Sequence, residues 1–165
     1  MVKRNWMLAF VMCVAVATLG VAAQQARGGQ APARGNPPPP RAPLSTSAFL
    51  SHDKVAGCTT GGTFVNTPEY MVQCSHRNAA GVVEIHKKET DVIYVIDGTA
   101  TFVTGGTATG LTATEGDQPR GKGIDGGQEH HLVKGDIVVV PAGQPHWFKE
   151  VPKEVSYYVV KVLKP

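Results

Sequence analysis

Short apolar runs punctuated by turn residues dominate the chain from residue 70 onward. They fall at residues 70–74, 82–86, 92–96, 99–103, 137–140 and 155–163, each too short for an ordinary helix. Clusters of Gly, Asp, Asn and Pro separate them, and Asp97-Gly98 is a hairpin signal. Strands at this spacing, with no long helical pattern between them, predict an all-β antiparallel sandwich or barrel. Ahead of them, Ser45-Thr46-Ser47 offers N-cap hydroxyls to Ala48-Phe49-Leu50, which predicts a short N-terminal helix ending near Ala56. Residues 105–128 are a Gly/Thr-rich connection, predicted to form an extended hairpin or a lid over the barrel mouth.

The first 43 residues carry a different pattern. Lys3 and Arg4 precede an almost wholly apolar stretch at residues 6–16, and small residues follow at Ala17, Gly20, Ala22 and Ala23. This is the layout of a secretory signal peptide over residues 1–23, cleaved after Ala23, and it predicts a secreted or periplasmic protein. An uncleaved anchor is the alternative, but the apolar run is shorter than the ~20 residues a spanning helix needs. No stable membrane anchor is therefore expected after cleavage. Residues 24–43 are rich in Gln, Ala, Arg, Gly and Pro and end near four consecutive prolines, a composition for an extended, disordered linker. Residues 44–165 are long enough for one domain with its own core.

Composition sharpens this picture in two places. Without Lys3 and Arg4, the sixteen basic residues fall to fourteen against thirteen acids, a formal charge of +1. With no basic stripe interleaved with aromatics, nucleic acid is not an expected partner. The mature chain keeps Cys58 and Cys74, and an even count in an exported protein predicts a disulfide between them. Two buried thiols, or a cysteine metal ligand, are the alternatives.

Two stretches carry candidate chemistry. In Val82-Val83-Glu84-Ile85-His86, strand alternation points Glu84 and His86 to one face and Ile85 to the other. Asp91 opens the next run, and a hairpin at residues 87–90 would swing it back beside His86. Two carboxylates and an imidazole then make three arms of a metal site. In the second stretch a buried strand, residues 137–140, runs into Pro141-Ala142-Gly143, and His146 emerges just beyond that turn. Arg77 is a candidate bidentate clamp for a substrate carboxylate. Tyr94, Trp147 and His131 are weaker candidates for the pocket wall, with packing or a surface place as the competing reading.

The second stretch resembles the second motif of the cupin family, G-x5-P-x-G-x2-H-x3-N. Gly135, Pro141, Gly143 and His146 match it, and Glu150 stands where the family usually has Asn. The first stretch is similar to the first cupin motif, G-x5-H-x-H-x3-4-E-x6-G. Gly98 fits its closing glycine and His86 its second histidine; Asp91 replaces the Glu, Glu84 stands at the first His, and Asn78 falls at the opening glycine. The resemblance implies a double-stranded β-helix, the jelly-roll or cupin barrel, with one divalent metal inside. Carried over residue by residue, its metal set is Glu84, His86, Asp91 and His146. Two imidazoles with two carboxylates suit harder ions than an all-His site, with iron, manganese, nickel and zinc as candidates.

Two functional readings follow from the resemblance. One is a metal-dependent enzyme, dioxygenase-, isomerase- or lyase-like, acting on a small polar organic molecule. The other is a non-catalytic module that holds a small ligand or a metal. Similar barrels often dimerise through edge strands, so the resemblance leaves the oligomeric state open with a homodimer among the candidates.

Overall fold

A computed structural model of the chain describes residues 40–57, 59–112 and 118–164. The leader, most of the linker and Cys58 lie outside the described residues. In chain order the first elements are α1 (His52–Ala56), β1 (Gly62–Asn66), β2 (Tyr70–Arg77), β3 (Val83–Glu84), β4 (Glu89–Gly98) and β5 (Ala100–Thr104). There follow β6 (Thr107–Thr109), β7 (Arg120–Gly121), β8 (Gly123–Asp125), β9 (Gln128–Leu132), β10 (Ile137–Val140), β11 (His146–Glu150) and β12 (Val155–Leu163). They build two five-stranded antiparallel sheets, ordered β1-β2-β12-β4-β10 and β7-β3-β11-β5-β9, and a small β6-β8 ribbon. This is the jelly-roll barrel, a double-stranded β-helix.

Alternation decides what faces inward. In β4, residues 89, 91, 93 and 95 are buried while 90, 92, 94 and 96 are half-buried, the period of a strand with one face on a core. The same parity runs along β12, where residues 155, 157, 159 and 161 are buried. Ile93, Val95, Val155, Tyr157 and Val159 meet Phe102 and Phe148 of the opposite sheet in the hydrophobic core. Phe148 packs on both Phe102 and Tyr157, with ring centroids 4.6 and 4.9 Å apart. Further along these inward faces the residues turn polar: Glu89 and Asp91 on β4, Lys161 on β12. The barrel is thus apolar at one end and charged at the other.

Two glycines shape that charged end and its opposite. Gly98 closes β4 at φ 82°, and a Cβ there would stand 2.1 Å from the Glu154 carbonyl oxygen, so no side chain fits. Gly143, at φ 84°, turns its N–H onto the His86 carbonyl oxygen at 2.8 Å, tying the turn before β11 to the chain just after β3.

Several expectations shift. The helix is capped by Ser51, whose hydroxyl accepts from the Lys54 N–H, and not by Ser45–Ser47. Upstream, Phe49 is exposed, so no apolar face holds an earlier turn in place. The run at residues 82–86 is a ladder only over Val83–Glu84; Ile85 instead donates to Pro119 O. The connection at 105–128 contributes the β6-β8 hairpin and, through β7, an edge of the second sheet beside β3. Among the described residues no helix is long and apolar enough to cross a membrane.

Candidate metal centre

The register of the second sheet sets Glu84, at the end of β3, directly opposite His146, the first residue of β11. His86 follows two residues on, held by the Gly143 hydrogen bond. From the first sheet Asp91 reaches the same space. His86 Nε2 lies 3.3 Å from Glu84 Oε2 and 3.5 Å from Asp91 Oδ2, and His146 Nε2 lies 3.8 Å from Asp91 Oδ2. The two imidazole centroids are 5.1 Å apart. One donor atom each from Glu84, His86 and His146 falls within 4.8 Å of the other two, and His86, Glu89 and Asp91 form a second, overlapping set.

Tautomer and charge suit a cation. His146 Nδ1–H donates to the Gln144 carbonyl at 3.3 Å, which leaves Nε2 with its lone pair facing the centre. Burial pushes the His146 imidazole down to about 4, with His86 adding to the effect against the pull of Glu84 and Asp91. Burial by itself would raise the Glu84 carboxyl. The hydrogen bond with His86 and the charges of Arg120 and Arg77 outweigh that and hold it well below the usual carboxylate range. A neutral His146 beside an ionised Glu84 has the protonation states that metal binding requires. The set of two nitrogens and one oxygen fits a divalent transition ion with open positions left for other ligands.

The lowered His146 value has a consequence for stability. Its folded-state pKa lies below the unfolded value near 6.5, so neutral burial contributes stability that is complete above pH ~6.5 and lost as pH falls through about 4. Metal-free protein should lose roughly 3 kcal/mol through this window, and His146→Gln should flatten that part of the profile. Urea denaturation at pH 7, 5 and 4 measures it; an unchanged slope in the variant would contradict the assignment.

Asp91 differs from the other three candidates. Lys161, its register partner on β12, donates to both of its oxygens at 2.8 and 3.0 Å and stands 3.2 Å from Glu89 Oε2. Asp91 therefore sits beside the centre with its charge matched by a buried ammonium. Lys161, Glu89 and Arg120 are site residues that the sequence reading did not single out. A signal existed for Lys161: it shares the parity of Val155, Tyr157 and Val159, so a charge stands on an inward face.

The centre opens into a cavity of about 230 Å³ whose wall includes Gln73, Ser75, Arg77, Arg120 and Trp147. Arg77 lines it with two of its nitrogens engaged: Nε donates to the Tyr157 hydroxyl at 3.0 Å, Nη2 to Glu84 Oε1 at 3.4 Å, and the guanidinium stands 4.9 Å over the Phe148 ring. Trp147 also lines it, its indole N–H donating to Gly81 O at 2.8 Å. Tyr94 and His131 do not. Tyr94 has outward parity on β4 and stacks on Tyr158 with centroids 5.0 Å apart. His131 is exposed on β9, and its neighbour His130 pairs with the Thr104 hydroxyl at 2.9 Å. Glu150, at the cupin Asn position, is exposed and accepts from the Thr101 hydroxyl.

A double-stranded β-helix with imidazoles and a carboxylate converging on its interior defines the class of barrel to which this chain conforms. Residues 67–164 match the family described as Cupin, and the chain belongs to that family. A Bacillus halodurans protein of known structure is similar over 73% of this chain and 85% of its own, with 11% identity and a TM-score of 0.52. An uncharacterized conserved protein with a double-stranded beta-helix domain from Klebsiella pneumoniae shares 20% identity over 61% of this chain and 69% of its own (TM-score 0.44). A Thermus thermophilus protein shares 16% identity over 72% of this chain and 91% of its own (TM-score 0.46). The first of these likenesses supports the fold. No curated protein matches the sequence.

Proposed function

We propose that this cupin is a metal-dependent enzyme of the exported proteome, acting on a small polar organic molecule. The observation that carries the reading is the convergence of Glu84, His86 and His146 donor atoms at the base of a cavity. These three residues would hold a divalent transition ion such as iron, manganese, nickel or zinc. The ion supplies a Lewis acid for substrate oxygens or, if redox-active, a site for dioxygen. Around it the chain's own groups have distinct tasks. Arg77 orients Glu84, Lys161 fixes Asp91 beside the ion, and Trp147 closes one wall against water.

Export rests on the leader at residues 1–23, and N-terminal sequencing of the exported chain should begin at Gln24. A Cys58–Cys74 disulfide belongs to the same proposal. Gly62 is the register partner of buried Cys74, so the chain entering β1 arrives beside it. Thiol titration of the unfolded, unreduced chain checks this, two free thiols in the mature protein counting against it. The outer strand β10 exposes Ile137 and Val139, which supports pairing of two copies. Sedimentation at monomer mass would refute that.

Turnover is tested by loading the protein with each of the four metals and assaying hydroxy acids, diones and sugars, with and without chelator. Metal-dependent conversion of one class is the expected outcome. A metal-loaded protein inert towards all of them would contradict the enzymatic reading while leaving the metal site standing.

A further inference from the structure

We propose that the cavity takes a small organic acid, and that Arg120 is the residue that binds its carboxylate. This deepens the functional reading above, resting on it only for the metal's share of the charge.

Charge in the cavity wall does not balance. The charged side chains lining it are Arg77, Arg120 and Lys161 against Glu84 and Asp91. That is three cations to two carboxylates. Hydrogen bonds join four of the five: Lys161 to Asp91, and Arg77 to Glu84. Glu89, just outside the wall, shares Lys161 at 3.2 Å and meets the exposed Arg41 at 3.7 Å. Arg120 shares Glu84 with Arg77, and its Nη1 makes no hydrogen bond. A divalent ion in the centre would add two positive charges beside this wall, and a cleft with an excess of one sign draws the opposite one.

The geometry of Arg120 agrees with the count. It projects from β7 at the cavity wall, and its Nη1 is buried without a hydrogen-bond partner. Glu84 Oε2, the nearest carboxylate oxygen paired with it, is 3.7 Å away, beyond hydrogen-bonding reach. A buried guanidinium N–H without an acceptor is costly, and a carboxylate is the acceptor its planar fork fits best. Because Nη1 stands so near a candidate metal ligand, an anion bound to it lies within reach of the centre. At about 230 Å³ the cavity falls below the ~300–1,000 Å³ of drug-sized sites, so the acid is a small one. Gln73 and Ser75 on the wall suit an acid bearing a further hydroxyl or oxo oxygen.

Calorimetric titration of the full chain, zinc-loaded and metal-free, with lactate and with its neutral isostere lactamide tests this. Lactate should bind the zinc-loaded chain more tightly than lactamide does. Arg120→Gln should weaken lactate at least about tenfold and leave lactamide unchanged, with Arg120→Lys restoring part of the loss. Zinc content should stay the same in both variants. Equal binding of the two probes, no saturable binding of either, or a lactate affinity indifferent to Arg120→Gln would each overturn the proposal. Loss of zinc in Arg120→Gln would also overturn it, by making Arg120 a support for Glu84. If the wild type binds no zinc yet still prefers lactate through Arg120, the carboxylate site stands and the metal reading fails.

Discussion

Lys161→Met should lower the stability of the metal-free protein by about 3–5 kcal/mol, the usual cost of removing one partner from a buried ion pair. The residue is 8% exposed and its ammonium serves two carboxylates, Asp91 and Glu89, which are themselves 4% and 8% exposed. Methionine fills a similar volume, so the loss would be electrostatic and not a cavity. Both acids would then face His86 with no cation of comparable burial between them. Combining the change with Asp91→Asn should recover a large part of the loss, because the stranded charge goes with it. Urea denaturation in the presence of a chelator reads both effects. A single-variant loss below about 1 kcal/mol would mean that water reaches this end of the barrel and screens the pair.

The second large effect concerns the metal itself. His86→Ala and His146→Ala should each weaken zinc binding by well over the roughly 10–100-fold typical of outer-shell changes, since each deletes a donor and not its support. Arg77→Met removes only a group that orients Glu84, and it should fall within that lower range. Competition against a chromophoric chelator gives the three affinities. Losses of equal size in all three variants would argue that no ligand role separates the histidines from Arg77. Lys161→Met, by contrast, releases Asp91 and should not weaken the metal at all.

These two sets of residues were not equally visible in the sequence. His146 and Gly143 announced themselves because the strand, the turn and the histidine are contiguous, and local geometry alone aims the side chain. Glu84 and His86 followed from alternation over three residues. Lys161 lies seventy residues from Asp91, and only the pairing of β12 with β4 makes them neighbours. Arg120 depends on β7 docking beside β3 after a connection whose course no local pattern dictates. Tyr94 and His131 show the converse: both stand on barrel strands, and a single step of parity turns them outward. The barrel itself was legible because short apolar runs and turn residues repeat its period many times over. Which end of that barrel would be charged is a matter of register across strands, and no window of sequence contains it.

The central claim is that Glu84, His86 and His146 hold a metal. Elemental analysis of the protein purified without added metal or affinity-tag metal tests it most directly. About one divalent transition ion per chain is predicted, lost in both His86→Ala and His146→Ala. A folded wild-type protein that carries none and takes up none on addition of iron, manganese, nickel or zinc would contradict it.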